Sequence, residues 1–315
     1  MKTTQWLTPA SAPEWLDARK LYLTASEAAA LYGAGREDLY SLWHSKKHGW
    51  DGETGDNPAM KWGRQMEPII IAAVCEHSGW TREPLDPWTC AVIVDPPMLA
   101  TPDAIAINEH GERVLVEAKA LLQPGARADT EDDLRHSTWI QVQQQMGCSS
   151  IHRAVVASSI VGGSPRVVDV PFDAEWWARH VEYVGRFWEA VHNHDECPFP
   201  PTDSGASGRA LARLWPRDNG EVVELPDEAA QKYTEYQAAH ETEKKASGEK
   251  DKIKRWMQHR VGEASIGRIP GTGMEYRWQL QESKPVLCPH CNGVVTPGKE
   301  KRSGRFCKQP KGYRE

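Results

Sequence analysis

Apolar residues recur at helical spacing in three long stretches, and between them they gather into short strand-like runs. Residues 13–33, "PEWLDARKLYLTASEAAALYG", predict a helix, a short extended piece, and a second helix capped near Thr24 or Ser26 with Glu27 following. Gly33 and Gly35 stop that second helix, and "DLYSLWHSKKHG" adds an amphipathic turn or two before the loop "DGETGDNP". "AMKWGRQMEPIIIAAVCEHSG" places Trp62, Met66, Ile69, Ile70 and Ala73 on one helical face, with Gly79 as C-cap and Pro68 as a start or a kink. "TCAVIVD", "MLATPDAIAI" and "RVLVEAKAL" then read as strands, the last two joined as a hairpin through "NEHGE". A helix follows around "STWIQVQQQMGC", carrying Trp139, Val142 and Met146, and two more strands, "HRAVVASSIV" and "RVVDVPF", lead to "DAEWWARHVEYVGRFWEAVHN". That last helix has Asp173 as N-cap and Trp177, Val181, Val184, Trp188 and Val191 on one face. The order predicts an α/β core with a central mixed sheet flanked by helices.

"CPFPPTDSGASG" interrupts the regular pattern with Pro, Gly and Ser, which sets the expected domain boundary between 202 and 203. The extension 203–315 has a different texture. "PDEAAQKYTEYQAAHETEKKASGEKDKIKRWMQHRV" predicts a long polar helix with a break at Gly248, suited to a helical hairpin or coiled coil. "EASIGRIPGTGMEYRWQLQES" predicts a small β-hairpin. From Lys299 onward seven Lys or Arg stand against two Glu, so this tail adds non-specific, salt-sensitive affinity for nucleic acid if it is not simply solvated. Cys288 and Cys291 have half the spacing of a zinc knuckle and Cys307 is available as a third ligand, which leaves a Zn²⁺ site and a loop of free thiols as the two readings.

Composition narrows the class. The formal charge of −6 provides no general attraction to nucleic acid, so local basic patches decide that question. No run of 18 apolar residues is present and the N-terminus lacks a secretory h-region, so a cytoplasmic chain with no membrane span is expected. An odd count of seven scattered cysteines fits reduced thiols better than a disulfide framework.

One hairpin carries chemistry. In "LATPDAIAINEHGERVLVEAKALL" strand alternation puts Glu117 and Lys119 on one face, with Val116 and Ala118 on the other. A carboxylate half-buried in a sheet is costly without a cation or hydrogen-bonding partner. Asp103, behind Pro102 at the end of the preceding strand, lies across the hairpin where it can share a metal with Glu117, and Glu67 on the upstream helix can supply a third oxygen. Clustered carboxylates suit Mg²⁺ or Mn²⁺, and the scarcity of nearby His and Cys argues against zinc there. Lys119 is no ligand; its ammonium suits orienting or deprotonating a water and countering charge on a phosphorane-like transition state.

These residues resemble the YqaJ-type viral recombinase (phage lambda exonuclease) family of the PD-(D/E)xK nucleases. The matching segments are "EWLDARKLYLTASEAAALYG", "AMKWGRQMEP", "LATPDAIAI", "VLVEAKAL" and "WIQVQQQMG", in the family's order, within residues 13–172. The resemblance implies a restriction-endonuclease-like core and a Mg²⁺-dependent 5′ to 3′ exonuclease that acts on double-stranded DNA ends, leaving 3′ overhangs for a single-strand annealing protein. It implies metal held by Glu67, Asp103 and Glu117 with the Ala118 carbonyl, water activated by Lys119, a site completed by Gln141, and the 5′-phosphate bound by Arg19 and Ser26. A ring-shaped trimer is the assembly it implies. The chain departs from the pattern at Ala120 and Leu121, where the family usually has Cys-Pro, and at Thr138, where an aromatic residue is common. A DNA-end-binding scaffold and a structure-specific endonuclease of the same superfamily are the alternative readings.

Overall fold

The computed structural model, which describes residues 3–50, 58–121, 134–160, 165–282, 286–287, 294–296 and 300–308, divides the apolar run 98–107 between two sheets. The chain forms two compact units, Met1–Asn219 and Gly220–Glu315. In chain order the first unit contains β1 (Gln5–Leu7), α1 (Ala12–Leu21), β2 (Leu23–Thr24), α2 (Leu39–His48), α3 (Pro58–Ser78), β3 (Thr81–Arg82), β4 (Cys90–Ile93) and β5 (Met98–Ala100). It continues with β6 (Ala104–Ile107), β7 (Arg113–Leu121), α4 (His136–Ser149), β8 (Arg153–Ile160), β9 (Arg166–Pro171), α5 (Ala174–Asn193) and α6 (Gly205–Leu214).

Strand β5 joins a four-stranded sheet in the order β1-β4-β5-β2, whereas β6 joins a five-stranded sheet in the order β3-β6-β7-β8-β9. The chain therefore changes sheets across Thr101, Pro102 and Asp103. Both sheets are mixed: β2 lies parallel to β5 in the first, and β7 lies parallel to β8 in the second among antiparallel neighbours. Parallel strands cannot be joined by a tight turn, so α4 makes the crossover between β7 and β8. One side of α4 sends Val142 and Met146 into the cluster of Ile105, Leu115, Val156 and Val170, and Ile140 packs with Ala28, Ala29 and Trp176. Helix α5 buries Trp176, Val184, Phe187, Trp188 and Val191, one turn apart as its apolar stripe requires, and Asp173 caps it by accepting from the Trp176 N–H at 2.8 Å. Burial of a side chain such as Phe187 contributes roughly 1.5–3 kcal/mol. This is the expected α/β core, with mixed sheets flanked by helices.

Two local helix expectations need correction. The second helix of the N-terminal stretch is a short 3₁₀ turn, Ala28–Tyr32. Gly33 there has φ 66°, and the chain doubles back so closely at Gly35 that a Cβ would stand 2.8 Å from the Ala30 nitrogen, which leaves no room for a longer helix. On α3 the buried stripe is Ile70, Ile71 and Val74, facing β7 and β8, while Trp62 and Ile69 are exposed; Pro68 lies inside the helix. The first compact unit includes α6, which is tied to α2. Thr202, Ser204 and Ser207 all donate hydroxyl hydrogen bonds to Asp38 Oδ2, while Asp38 Oδ1 caps α2 through the Ser41 N–H. Burial alone would raise the Asp38 pKa, but these four donors outweigh it and hold the carboxyl well below the usual range.

In the second unit α7 (Glu228–Val261) runs without a break through Gly248, so no helical hairpin forms within it. The expected β-hairpin is present as β10 (Ile266–Ile269) and β11 (Met274–Glu282). After β12 (Val286–Leu287) and β13 (Val294–Thr296), β14 (Glu300–Lys308) pairs along the full length of β11. Among the described residues no helix is long and apolar enough to cross a membrane.

Candidate active site

Strand β7 enters the site with the alternation read from its sequence: Leu115 packs into the cluster of Val142 and Met146, Val114 and Val116 into that of Ile71, and Glu117, on the Leu115 face, is only 2% exposed. Its carboxylate is not left bare. Oε1 accepts from Lys119 Nζ at 2.5 Å and from Gln141 Nε2 at 2.8 Å, and Oε2 accepts from Gln145 Nε2 at 2.7 Å. Gln141 Oε1 in turn accepts from Lys119 Nζ at 3.1 Å, which closes a ring of three side chains. Gln141 and Gln145 stand one helical turn apart on α4, so both reach the same strand. Gln145 was missed by the sequence reading; its i+4 spacing from Gln141 was the available signal.

Asp103 sits where the chain leaves β5 for β6. The β6–β7 ladder ends with Ala104 opposite Val116, which puts Asp103 one step further, opposite Glu117. Its Oδ2 accepts the Ala118 N–H at 2.8 Å. Burial and the charges of Glu117 and Glu67 push its carboxyl well above the ordinary range, against the opposing pull of the Ala118 N–H and Lys119. Glu67, on α3, is raised by burial and by Glu117, with Arg82, Lys119 and Arg64 acting the other way. Burial would lower the Lys119 pKa, but the Glu117 charge and hydrogen bond outweigh it, so the amine is held as an ammonium.

Among the described residues no three His, Cys, Asp or Glu side chains point into one ligating cluster. The reason is visible in the hydrogen bonds: both Glu117 oxygens face α4 and Lys119, and Asp103 Oδ2 faces the Ala118 backbone. The donor chemistry nevertheless fits a hard divalent cation. The Glu117 charge raises the proton affinity of both Asp103 and Glu67, and a cation beside these carboxylates is the charge that would relieve them.

The second cluster lies on α1 and the turn after it. Arg19 Nη2 donates to Ser26 Oγ at 3.4 Å, Ser26 Oγ is 3.2 Å from Thr24 Oγ1, and the Arg19 guanidinium lies 4.5 Å over the Trp15 ring. Buried Lys46 fixes the backbone beneath them by donating to the carbonyls of Arg19 and Tyr22 at 3.0 and 2.8 Å, and it pairs with Glu27 at 2.8 Å. Burial raises the Glu27 pKa, but Lys46 and Arg19 more than offset it and the carboxyl is pulled below its ordinary value. The β2–β5 pairing, Thr24 with Leu99, links this cluster to the strand that ends just before Asp103. Gln144 Nε2 spans the same pair by donating to the Leu23 and Leu99 carbonyls.

The structure thus brings Glu67, Asp103, Glu117, Lys119 and Gln141 into one electrostatic and hydrogen-bonded group, and Arg19 with Ser26 into another. Cys288 and Cys291 lie outside the described residues, while Cys307 is part-buried on β14.

Residues 14–152, which carry both clusters, match the model of the YqaJ-like viral recombinase domain. Several solved structures are similar to the chain. LHK-Exo, an alkaline exonuclease from Laribacter hongkongensis, aligns over 65% of this chain and 100% of its own at 17% identity and a TM-score of 0.44; its complex with dAMP gives the same identity and coverage and 0.45. A phage-related exonuclease from Haemophilus somnus aligns over 55% of this chain and 96% of its own at 11% identity and a TM-score of 0.41. No curated protein matches the chain. The match ends at residue 152, so β8, β9, α5 and α6 lie beyond it although they belong to the same compact unit.

Proposed function

We propose that this protein is a divalent-metal-dependent 5′ to 3′ exonuclease that resects double-stranded DNA ends to 3′ overhangs for recombination by strand annealing. The observation that carries the reading is the buried Glu117, ringed by Lys119, Gln141 and Gln145 and faced by Asp103 and Glu67 in a YqaJ-like domain. Mg²⁺ or Mn²⁺ held by Glu67, Asp103, Glu117 and the Ala118 carbonyl would supply Lewis acidity and a low-pKa water. Lys119 stays an ammonium beside Glu117, so it acts as a fixed positive charge and hydrogen-bond donor toward the scissile phosphate's oxygens. Gln141 holds both Lys119 and Glu117 in register, which preorganises the carboxylate before substrate arrives. Arg19, its guanidinium seated on Trp15 and bonded to Ser26, grips a terminal 5′-phosphate by charge-assisted hydrogen bonds and makes the chain act from ends. The partners of this activity are DNA ends and a single-strand annealing protein that receives the overhang. A ring trimer is the assembly that would enclose a duplex.

The deciding experiment is digestion of a linear duplex labelled on one strand, bearing 5′-phosphate or 5′-hydroxyl ends, with Mg²⁺ or EDTA, beside a closed circle. Metal-dependent mononucleotide release from phosphorylated 5′ ends is expected, with the circle intact. Nicking of the circle would replace the reading with an endonuclease, and tight end binding without cleavage would replace it with a scaffold.

A further inference from the structure

The chain's charge is unevenly divided. Residues 1–219 carry 20 Lys and Arg against 30 Asp and Glu, a net of −10, while residues 220–315 carry 18 against 14, a net of +4. The excess is concentrated after α7: residues 266–315 hold 10 Lys and Arg against 4 Asp and Glu, a net of +6. A unit at −10 repels a polyanion at long range, so a DNA enzyme built on it gains from cations placed elsewhere on the chain.

The β10-β11-β14 sheet sorts its residues by face. Gly267 pairs with Tyr276 and Tyr276 with Phe306, and this row is apolar: Tyr276 is 1% exposed, its ring lies 5.0 Å from Phe306, and Val261 of α7 packs so closely on Gly267 that a Cβ would come within 2.6 Å of it. The alternate positions carry arginine. Arg268 pairs with Glu275, and Arg277 pairs with Arg305, in two neighbouring rows of the same face. The rows are about 7 Å apart along the strands and the strands about 5 Å apart across them, a grid that suits successive phosphates of one nucleic-acid strand. Like charges directly opposite across a strand pair destabilise a sheet. Buried Glu275 offsets only part of this, bonding Arg277 Nε at 2.5 Å, and Arg268 and Arg305 are exposed.

We propose that this face of the C-terminal sheet binds the sugar–phosphate backbone of DNA, with Arg268, Arg277 and Arg305 as the contacts. The choice of DNA as the polyanion rests on the nuclease reading above; the surface itself rests on register and charge. Arg268 and Arg305 are the exposed members of the set, so they are the positions to test.

Fluorescence anisotropy of the full-length protein on labelled duplex and single-stranded DNA, in EDTA and over a salt series, measures the contacts directly. R268A/R305A is expected to weaken binding several-fold at moderate salt and to lower the salt slope by about 1.8 on duplex or about 1.4 on single strand, as two lost phosphate contacts require. The form of DNA with the larger loss identifies the one the sheet holds. R268K/R305K keeps the charge and is expected to keep the slope. An unchanged slope in the alanine variant overturns the surface, and so does an equal loss in the lysine variant, since charge would then not be the cause. Cleavage of duplex by the wild type with Mg²⁺, measured in parallel, separates the two readings: loss of the slope without any wild-type cleavage keeps the surface and removes the nuclease.

Discussion

At the residue scale the site is a balance between one ammonium and three carboxylates. Glu117→Ala and Asp103→Ala each remove a carboxylate from that group and leave Arg19 and Ser26 untouched. Each is expected to lower cleavage at least a thousandfold while DNA-end binding, measured in EDTA, stays within a few-fold of wild type; full cleavage by purified Asp103→Ala protein would end the assignment. Arg19→Ala acts elsewhere: it is expected to reduce the ratio of rates on 5′-phosphorylated and 5′-hydroxyl ends by about tenfold with little change on hydroxyl ends, the loss of roughly one charge-assisted contact. Gln145→Met tests the residue that strand reasoning did not find. Its removal leaves the buried Glu117 Oε2 without its amide donor, so a higher Mg²⁺ requirement is expected in a metal titration, with the unfolding midpoint lowered only modestly.

At the scale of elements, polar residues hold the helices where the site needs them. His180 of α5 is buried, stacked on Trp176, and lies 2.9 Å from both Tyr32 Oη and Gln144 Oε1. Because the Gln144 amide nitrogen already donates to two carbonyls, its oxygen accepts, so His180 Nε2 carries the hydrogen and Nδ1 accepts from Tyr32. Burial pushes the His180 imidazole down to about 3 and the Tyr32 hydroxyl up to about 12, both consistent with a neutral chain of hydrogen bonds. The unfolded chain takes up this proton near pH 6.5, which the native state refuses until about 3, so native stability falls as the pH drops below 6.5. Between pH 7 and 5 this one group contributes a loss of about 2 kcal/mol, observable by denaturant titration, and imidazole nitrogen shifts should show His180 still neutral at pH 5. Asp38→Ala cuts a cap and three hydroxyl contacts together, and is expected to cost about 2–4 kcal/mol and to release α6 from α2, detectable as faster amide exchange in residues 202–214.

At the scale of the whole molecule the two compact units differ in what they bury. The first holds the apolar clusters between and around its two sheets, whereas no residue of the 34-residue α7 is buried. A chain truncated after Asn219 keeps every described residue of the candidate site, and it is expected to unfold cooperatively and to cleave duplex ends. Loss of cooperative unfolding in that truncated chain would show that the first unit depends on the second.

Periodicity alone was enough to identify α3, α4 and α5, the β6–β7 hairpin, the β10–β11 hairpin and Asp173 as a cap, since each is a local pattern of apolar spacing or a single side chain meeting its own backbone. Glu117 and Lys119 were legible for the same reason: a strand's alternation assigns faces without knowledge of what lies across from them. The break of 98–107 into two sheets was not legible, because apolar runs at 98–100 and 104–107 look alike and only the pairing partners, β2 and β4 on one side, β7 on the other, distinguish them. The same holds for Gln145, whose amide is one of several in "QVQQQ" until α4 is laid against β7, for the 3₁₀ turn that Gly35 cuts short, and for α6, which Asp38 captures across 164 to 169 residues of sequence. Local sequence determined what each segment could form and which faces were apolar; contacts between distant segments decided which strand ended where, which glutamine met the carboxylate and how far the first unit extends.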